Sequence, residues 1–180
     1  MLLITVPERE YYDPGKNEFF KVKAQTLQLE HSLVSISKWE AKWKKPFLSN
    51  KPMNVEETID YIRCMTITQN VNPLVYMGIN DANVAAVKDY IFDPMTATWF
   101  SKTDDKRPVR AIHTSEVIYW QMIALGIPFE CQKWHLNRLL TLIRVCNEKN
   151  SPPKKMSKKE IFSRNRALNE ARRKSMNTRG

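Results

Sequence analysis

Residues 131–148 read CQKWHLNRLLTLIRVCNE, and the reading of this stretch decides the fold. On a helical wheel Lys133, Asn137, Thr141, Arg144 and Glu148 fall on one narrow stripe, spaced by four, four, three and four. Cys131, Trp134, Leu136, Leu139, Leu140, Leu142, Ile143, Val145 and Cys146 fan across the rest of the circumference. A surface helix carries an apolar arc of only about 100° or somewhat more. The pattern therefore predicts a central core helix over Glu130–Glu148 with a single wet edge. Just upstream, VIYWQMIAL is apolar nearly all round, with Thr114 placed to cap it and Glu116 in its first turn. Gly126-Ile-Pro128 turns the chain tightly, so Thr114–Leu125 and Glu130–Glu148 are expected to form a largely buried αα-hairpin.

Working toward the N-terminus, Asp81–Ile91 is a second helical run, with Val84, Val87 and Ile91 on one face and Asp93-Pro94 ending it. Asn54-Val-Glu-Glu57 has the form of a capping box, which opens a helix reaching roughly Ile67. Leu29, Leu33, Ile36, Trp39 (or Glu40) and Trp43 follow helical spacing until Pro46 stops the run. At the start of the chain, Leu2–Val6 is β-prone and Asp13-Pro-Gly-Lys16 is a turn. Phe20, Val22 and Ala24 alternate with polar residues, and Leu27 and Leu29 continue with the phase shifted by one. This predicts an N-terminal β-hairpin with a bulge near Thr26. Ser101–Arg110, charged and poor in apolar residues, reads as an exposed loop or hairpin.

The net charge of +10 is unevenly distributed. Lys154–Gly180 holds ten Lys/Arg against two Glu, whereas the preceding 153 residues carry 19 basic and 17 acidic side chains. Asn150-Ser-Pro-Pro153 closes the body, and Ser157-Lys-Lys-Glu160 caps a tail helix with a thin apolar stripe of Ile161, Leu168 and Ala171. The expected organisation is a mainly α domain over 1–150, with a β-hairpin region over 1–30 and a helical core over 31–150. A basic, mobile helical tail over 151–180 follows. The opening MLLITVPERE lacks a signal-peptide h-region, and no apolar run approaches the ~20 residues of a membrane span. Cys64, Cys131 and Cys146 are widely spaced and read as reduced structural thiols.

The catalytic inventory is thin. Four glycines in 180 residues leave no phosphate-cradling loop, and no nucleophile elbow is present. Cys131 and His135 stand four apart, a spacing that grips a metal on a helix, but the set of four ligands of a structural zinc site is not evident. His135 reads better as a hydrogen-bonded core histidine. Glu56, Glu57 and Asp60 suit the positive end of a helix. Neither a cofactor nor a metal is expected. Gln132 and Arg138 fall inside the apolar arc, where burial demands partners; Glu116 is the expected partner of Arg138, with a contact to another protein as the alternative. Trp39 and Trp43 among Lys38, Lys42, Lys44 and Lys45 could meet nucleic acid, but their spacing of four favours a core stripe. The basic tail reads as a solvated, disordered segment or, as the functional alternatives, as one that neutralises phosphates or grips an acidic protein segment; it lacks the bulky apolar anchors of a membrane-surface helix.

The runs KWEAKWKKPFL (Lys38–Leu48), DYIRCMT (Asp60–Thr66) and PFECQKWHLNRLLTLIRVC (Pro128–Cys146) are joined by the tail MSKKEIFSRNRALNEARRK. Together they resemble the tail assembly chaperones of tailed bacteriophages, small proteins encoded beside the tape measure. The resemblance covers the chain from about Lys38 onward and excludes the hairpin region. It implies a non-enzymatic protein of the infected bacterial cytoplasm that coats the tape measure protein and helps recruit tail tube subunits. The family offers no active site to carry over. The candidate partner-binding residues are Arg138, from its place in the apolar arc, and, from exposure and charge alone, the Ser101–Arg110 loop and Lys154, Lys155, Lys158, Lys159, Arg164, Arg166, Arg172, Arg173 and Lys174 of the tail. Self-association is a further expectation. The alternative functions are nucleic-acid binding through the tail and a minor structural role in the virion.

Overall fold

The N-terminal thirty residues form one long antiparallel ribbon in two stretches. β1 (Leu2–Val6) pairs with β4 (Gln25–Leu29), and β2 (Arg9–Asp13) with β3 (Glu18–Val22). The structure, a computed structural model, describes residues 1–15, 17–49, 51–100, 113–151 and 158–177. The expected bulge is absent from the ribbon. Register is unbroken from Leu2↔Leu29 to Asp13↔Glu18, and Thr26 sits squarely opposite Thr5, with their hydroxyls 3.2 Å apart. The phase shift in the sequence is real but has another cause. Ile4, Val6, Leu27 and Leu29 point inward in one stretch, Tyr11, Phe20 and Val22 in the other. The inward face thus switches parity in both strands at the same level, where Pro7-Glu8 lies opposite Lys23-Ala24. Pro7 has no N–H to give a ladder, which suits it to this break.

The ribbon is held to the helices along its proximal half. Beyond it come α1 (Leu33–Trp43), α2 (Val55–Met65), a 3-10 segment (Pro73–Gly78) and α3 (Asp81–Phe92). α4 (Ser115–Ala124), a second 3-10 segment (Phe129–Lys133) and α5 (Leu136–Asn150) complete this part. The fold is mainly helical with a small N-terminal β-ribbon. The outer edge of β4 is covered by the end of α2: Ile67 N–H donates to Gln28 O at 2.8 Å, and Glu30 N–H to Met65 O at 3.0 Å. α3 packs on β1, where Asn83 Nδ2 donates to Thr5 O. Leu29 is therefore the last residue of a strand rather than the first of a helix. α1 begins at Ser32, whose side chain accepts from Ser35 N while Ser35 reciprocates.

The expected capping box at Asn54 is present. Asn54 Oδ1 accepts from Glu57 N at 2.7 Å, and Glu57 Oε2 accepts from Asn54 N at 3.0 Å. The helix ends at Met65, two residues before the expected Ile67. α1, rather than α5, is the hub of the body. It packs against α2, α4 and the second 3-10 segment, burying Leu33, Ser35, Ile36, Trp39 and Glu40. Trp39 is fully enclosed and Trp43 half-buried, so the core reading of this pair holds.

Two expectations about the C-terminal half are corrected. The single helix Glu130–Glu148 is instead a 3-10 segment, a break at Trp134-His135, and α5. The cause is tertiary: His135 bridges to Ser32, and Leu136 N–H donates to His31 O at 2.7 Å, drawing the backbone out of the helical path. Nor is α5 wrapped on several sides. Only Leu136, Leu139 and Ile143 are buried on it, and only Ser115, Ile118 and Met122 on α4.

Gly78 lies where the first 3-10 segment meets the ribbon. A Cβ there would stand 2.8 Å from Val6 Cγ1, inside van der Waals contact. Val6 is a buried, stiff β-branched residue of β1 and cannot swing aside. Gly78→Ala is expected to cost about 1–3 kcal/mol of unfolding free energy by overpacking, measured by urea denaturation; an unchanged midpoint would show that the ribbon gives way freely.

The chain divides into two compact units, Met1–Asn147 and Glu148–Gly180. The second contains α6 (Lys158–Met176).

Candidate partner-binding surfaces

A group of hydrogen-bonded polar side chains lies where β4, α1, α2, α3 and the start of α5 converge. His31 Nδ1 and Tyr61 OH share a hydrogen bond of 2.5 Å, and Ser35 Oγ lies 3.3 Å from the same hydroxyl. The His31 and His135 rings meet edge to face at 5.1 Å. His135 Nε2 faces Tyr90 O at 3.0 Å, and its Nδ1 accepts from Asn137 N–H. Because a carbonyl can only accept, Nε2 is the donor there and Nδ1 the acceptor, so both ring nitrogens are engaged. Tyr90 OH donates to Glu30 Oε1 at 2.7 Å, and the other Glu30 oxygen meets the N-terminal ammonium at 3.2 Å.

Burial and, secondarily, the neighbouring His135 push His31 down to about 3. Burial also raises Tyr61 well above the ordinary phenol range, so its hydroxyl stays protonated. This is a satisfied, closed network that ties five segments together. His135 is the hydrogen-bonded core histidine expected from its apolar surroundings. The Cys131–His135 spacing loses its premise, because Cys131 lies in the 3-10 segment and His135 in the break after it. Among the described residues no three His, Cys, Asp or Glu side chains are gathered to hold a metal.

The acidic cluster on α2 is likewise absorbed by structure. Glu57 pairs with Lys45 and Asp60 with Lys42, while Trp43 Nε1 donates to Asp60 Oδ2 at 2.9 Å. The bond from Lys45, then that from Asn54 N–H, holds the Glu57 carboxyl below its ordinary value.

Arg138 is exposed and its guanidinium lies 4.2 Å over the Trp134 ring. It does not pair with Glu116, which interacts with Thr114 and Ser115 at the start of its own helix. The expected buried ion pair is replaced by a cation–π contact at the surface. Gln132 is half-buried and accepts from Tyr119 OH at 2.9 Å. Lys158, Lys159, Arg164, Arg166, Arg172, Arg173 and Lys174 all lie exposed on α6. Lys154 and Lys155 lie outside the described residues, as does the expected Ser101–Arg110 loop.

The surface that the sequence reading missed is on α4. Ser115, Ile118 and Met122 form its inner face, against α1. Glu116, Val117, Trp120, Ile123 and Ala124 form the opposite face, and all are exposed. Trp120 keeps 65% of its surface in water and Ile123 64%. Phe129, 52% exposed, follows in the next turn beside Tyr119. The signal was in the sequence: a helix apolar all round has either two neighbours or a bare side. α4 has the bare side. Its position is fixed from a distance. Thr114 makes no side-chain cap bond, and the Ser115 N–H instead donates to Glu40 Oε2 on α1 at 2.8 Å. The other Glu40 oxygen accepts from Phe47 N–H at 2.8 Å.

Comparison with protein-family models, with curated proteins and with solved structures returns no match. Among the described residues no helix is long and apolar enough to cross a membrane.

Proposed function

We propose that this chain works by binding another protein, as a tail assembly chaperone of a tailed bacteriophage acting in the cytoplasm of the infected host. The partner is the long helical tape measure protein, with tail tube subunits joining as the tail is built. The observation that carries the reading is the bare apolar stripe of α4. Exposed aromatic and aliphatic side chains grouped on one face mark interaction sites, and an amphipathic helix laid along such a face buries it. The sequence resemblance from Lys38 onward points to the same class of activity, and the titratable clusters of the body are engaged in structural bonds.

Trp120 is the expected anchor. A buried interfacial Trp commonly contributes 2 kcal/mol or more to a complex. Trp120→Glu is therefore expected to cut capture of the partner by about thirtyfold or more, with folding stability unchanged to within about 0.5 kcal/mol because the side chain is already exposed. The measurement is affinity capture of the tagged chain from cells making particles, with nuclease treatment, read by quantitative mass spectrometry. A long tail protein recovered at high stoichiometry by the wild type and lost in the variant is the expected outcome. Recovery of no tail protein by the wild type would end the chaperone reading.

A further inference from the structure

α6 offers a second and different surface. Over Lys158–Met176 it carries seven Lys/Arg against two Glu, and every residue of it whose exposure is described is exposed. Most helical stability in proteins comes from packing one face against a partner. Its charges are ordered. Lys159, Arg166 and Arg173 recur every seven residues and so run in one line down the helix. At 1.5 Å rise per residue, neighbours in that line stand about 10 Å apart. Phe162, three after Lys159 and four before Arg166, lies on the same side between them, with 73% of its surface exposed. Glu170 holds the Arg166 guanidinium along the helix at 3.5 Å.

We propose that this stripe binds single-stranded nucleic acid, with Lys159, Arg166 and Arg173 on backbone phosphates and a base stacked on Phe162. Charge complementarity supplies the phosphate contacts, and an exposed ring set among cations is the arrangement that single strands use. A duplex keeps its base faces stacked, so Phe162 would have to unstack a base step to reach one, at a cost a single strand does not impose. A membrane surface is the poorer occupant: Arg164 and Arg172 flank Ile161 and Leu168, so α6 lacks the wide apolar face that lies down in a bilayer.

The test is fluorescence anisotropy of the full chain with a labelled oligothymidylate between 50 and 200 mM salt. Three neutralised phosphates on a single strand give a log–log slope of about −2, a roughly twentyfold loss of affinity over that range. The triple variant Lys159→Gln/Arg166→Gln/Arg173→Gln is expected to abolish the salt dependence. Phe162→Leu is expected to weaken binding fivefold or more with the slope intact. Lys158→Gln/Arg164→Gln/Arg172→Gln removes the same charge away from the line and is expected to cost less than the on-line triple. Equal losses from both triples, or no effect of Phe162→Leu, would reduce the site to general basicity and overturn the proposal. So would displacement of the oligonucleotide by polyglutamate or anionic vesicles at equal charge concentration.

Discussion

Lowering the pH from 7 to 5 is expected to remove about 2 kcal/mol of unfolding free energy through His31 alone, and about 4 kcal/mol by pH 3. The sign follows from which state takes up the proton. In the unfolded chain His31 titrates near its ordinary value of 6.5, but in the folded protein only near 3. Below pH 6.5 the unfolded state therefore binds a proton that the folded state refuses, and stability drains away until the folded pKa is reached. The physical reason is that an imidazolium would have to sit buried, next to a second imidazole at 5.1 Å. Glu57, whose carboxyl is held below its ordinary value of 4.5, also loses its contribution in acid, but at lower pH. The window between pH 6.5 and 5 thus belongs to His31 when the two are compared. Urea denaturation of wild type and His31→Gln at pH 7, 6 and 5 measures it. The expected result is a variant less stable at pH 7 whose curve is flat over that window; equal slopes in both proteins would remove His31 from the account.

Trp39→Ala is expected to cost about 4 kcal/mol, within the range for removing a large buried aromatic. The indole is 2% exposed, packs edge-on against Phe47 at 5.3 Å and lies along Trp43 at 6.2 Å. Its Nε1–H donates to the Glu57 carbonyl at 3.0 Å, the first turn of α2. Truncation therefore opens a cavity at the hub and removes the indole donor from the Glu57 carbonyl. Trp39→Phe retains most of the packing and loses only the bond, so about 1–2 kcal/mol is expected. For a domain holding about 5–15 kcal/mol in all, the alanine variant stands near the edge of folding. Denaturant midpoints of the two variants separate packing from bonding, and equal losses would mean that the hydrogen bond carries the site.

What could be read from the sequence was local. The capping box at Asn54 was legible because its two bonds join residues three apart, and the α1 stripe because Leu33, Ile36 and Trp39 recur at helical spacing. The mainly helical class and the N-terminal ribbon followed from the same periodicities. What could not be read is set by residues far apart in the chain. The break at Trp134-His135 comes from the backbone of His31 and Ser32, about a hundred residues earlier. The His31, Tyr61, Tyr90 and His135 network draws on four separate segments, none with a motif of its own. The bare face of α4 and the buried faces of α1 look alike in composition, since apolar periodicity reports which residues can be covered and not which ones are. Arg138 was expected inward because its helix was expected to be surrounded; once α5 lies at the margin, a guanidinium stacked on Trp134 is the simpler arrangement.

Glu40 ties an early stretch of the body to a late one. Its carboxylate grips Phe47 N–H seven residues on and Ser115 N–H seventy-five residues on. The near bond can close as soon as α1 and the turn after it exist. During synthesis the N-terminal part of a chain emerges first, so Glu40 leaves the ribosome before the helix whose first N–H it caps. A chain rearranged so that α4 is made before α1 would present that helix with a frayed beginning and both apolar faces bare, and aggregation during translation would be its characteristic failure.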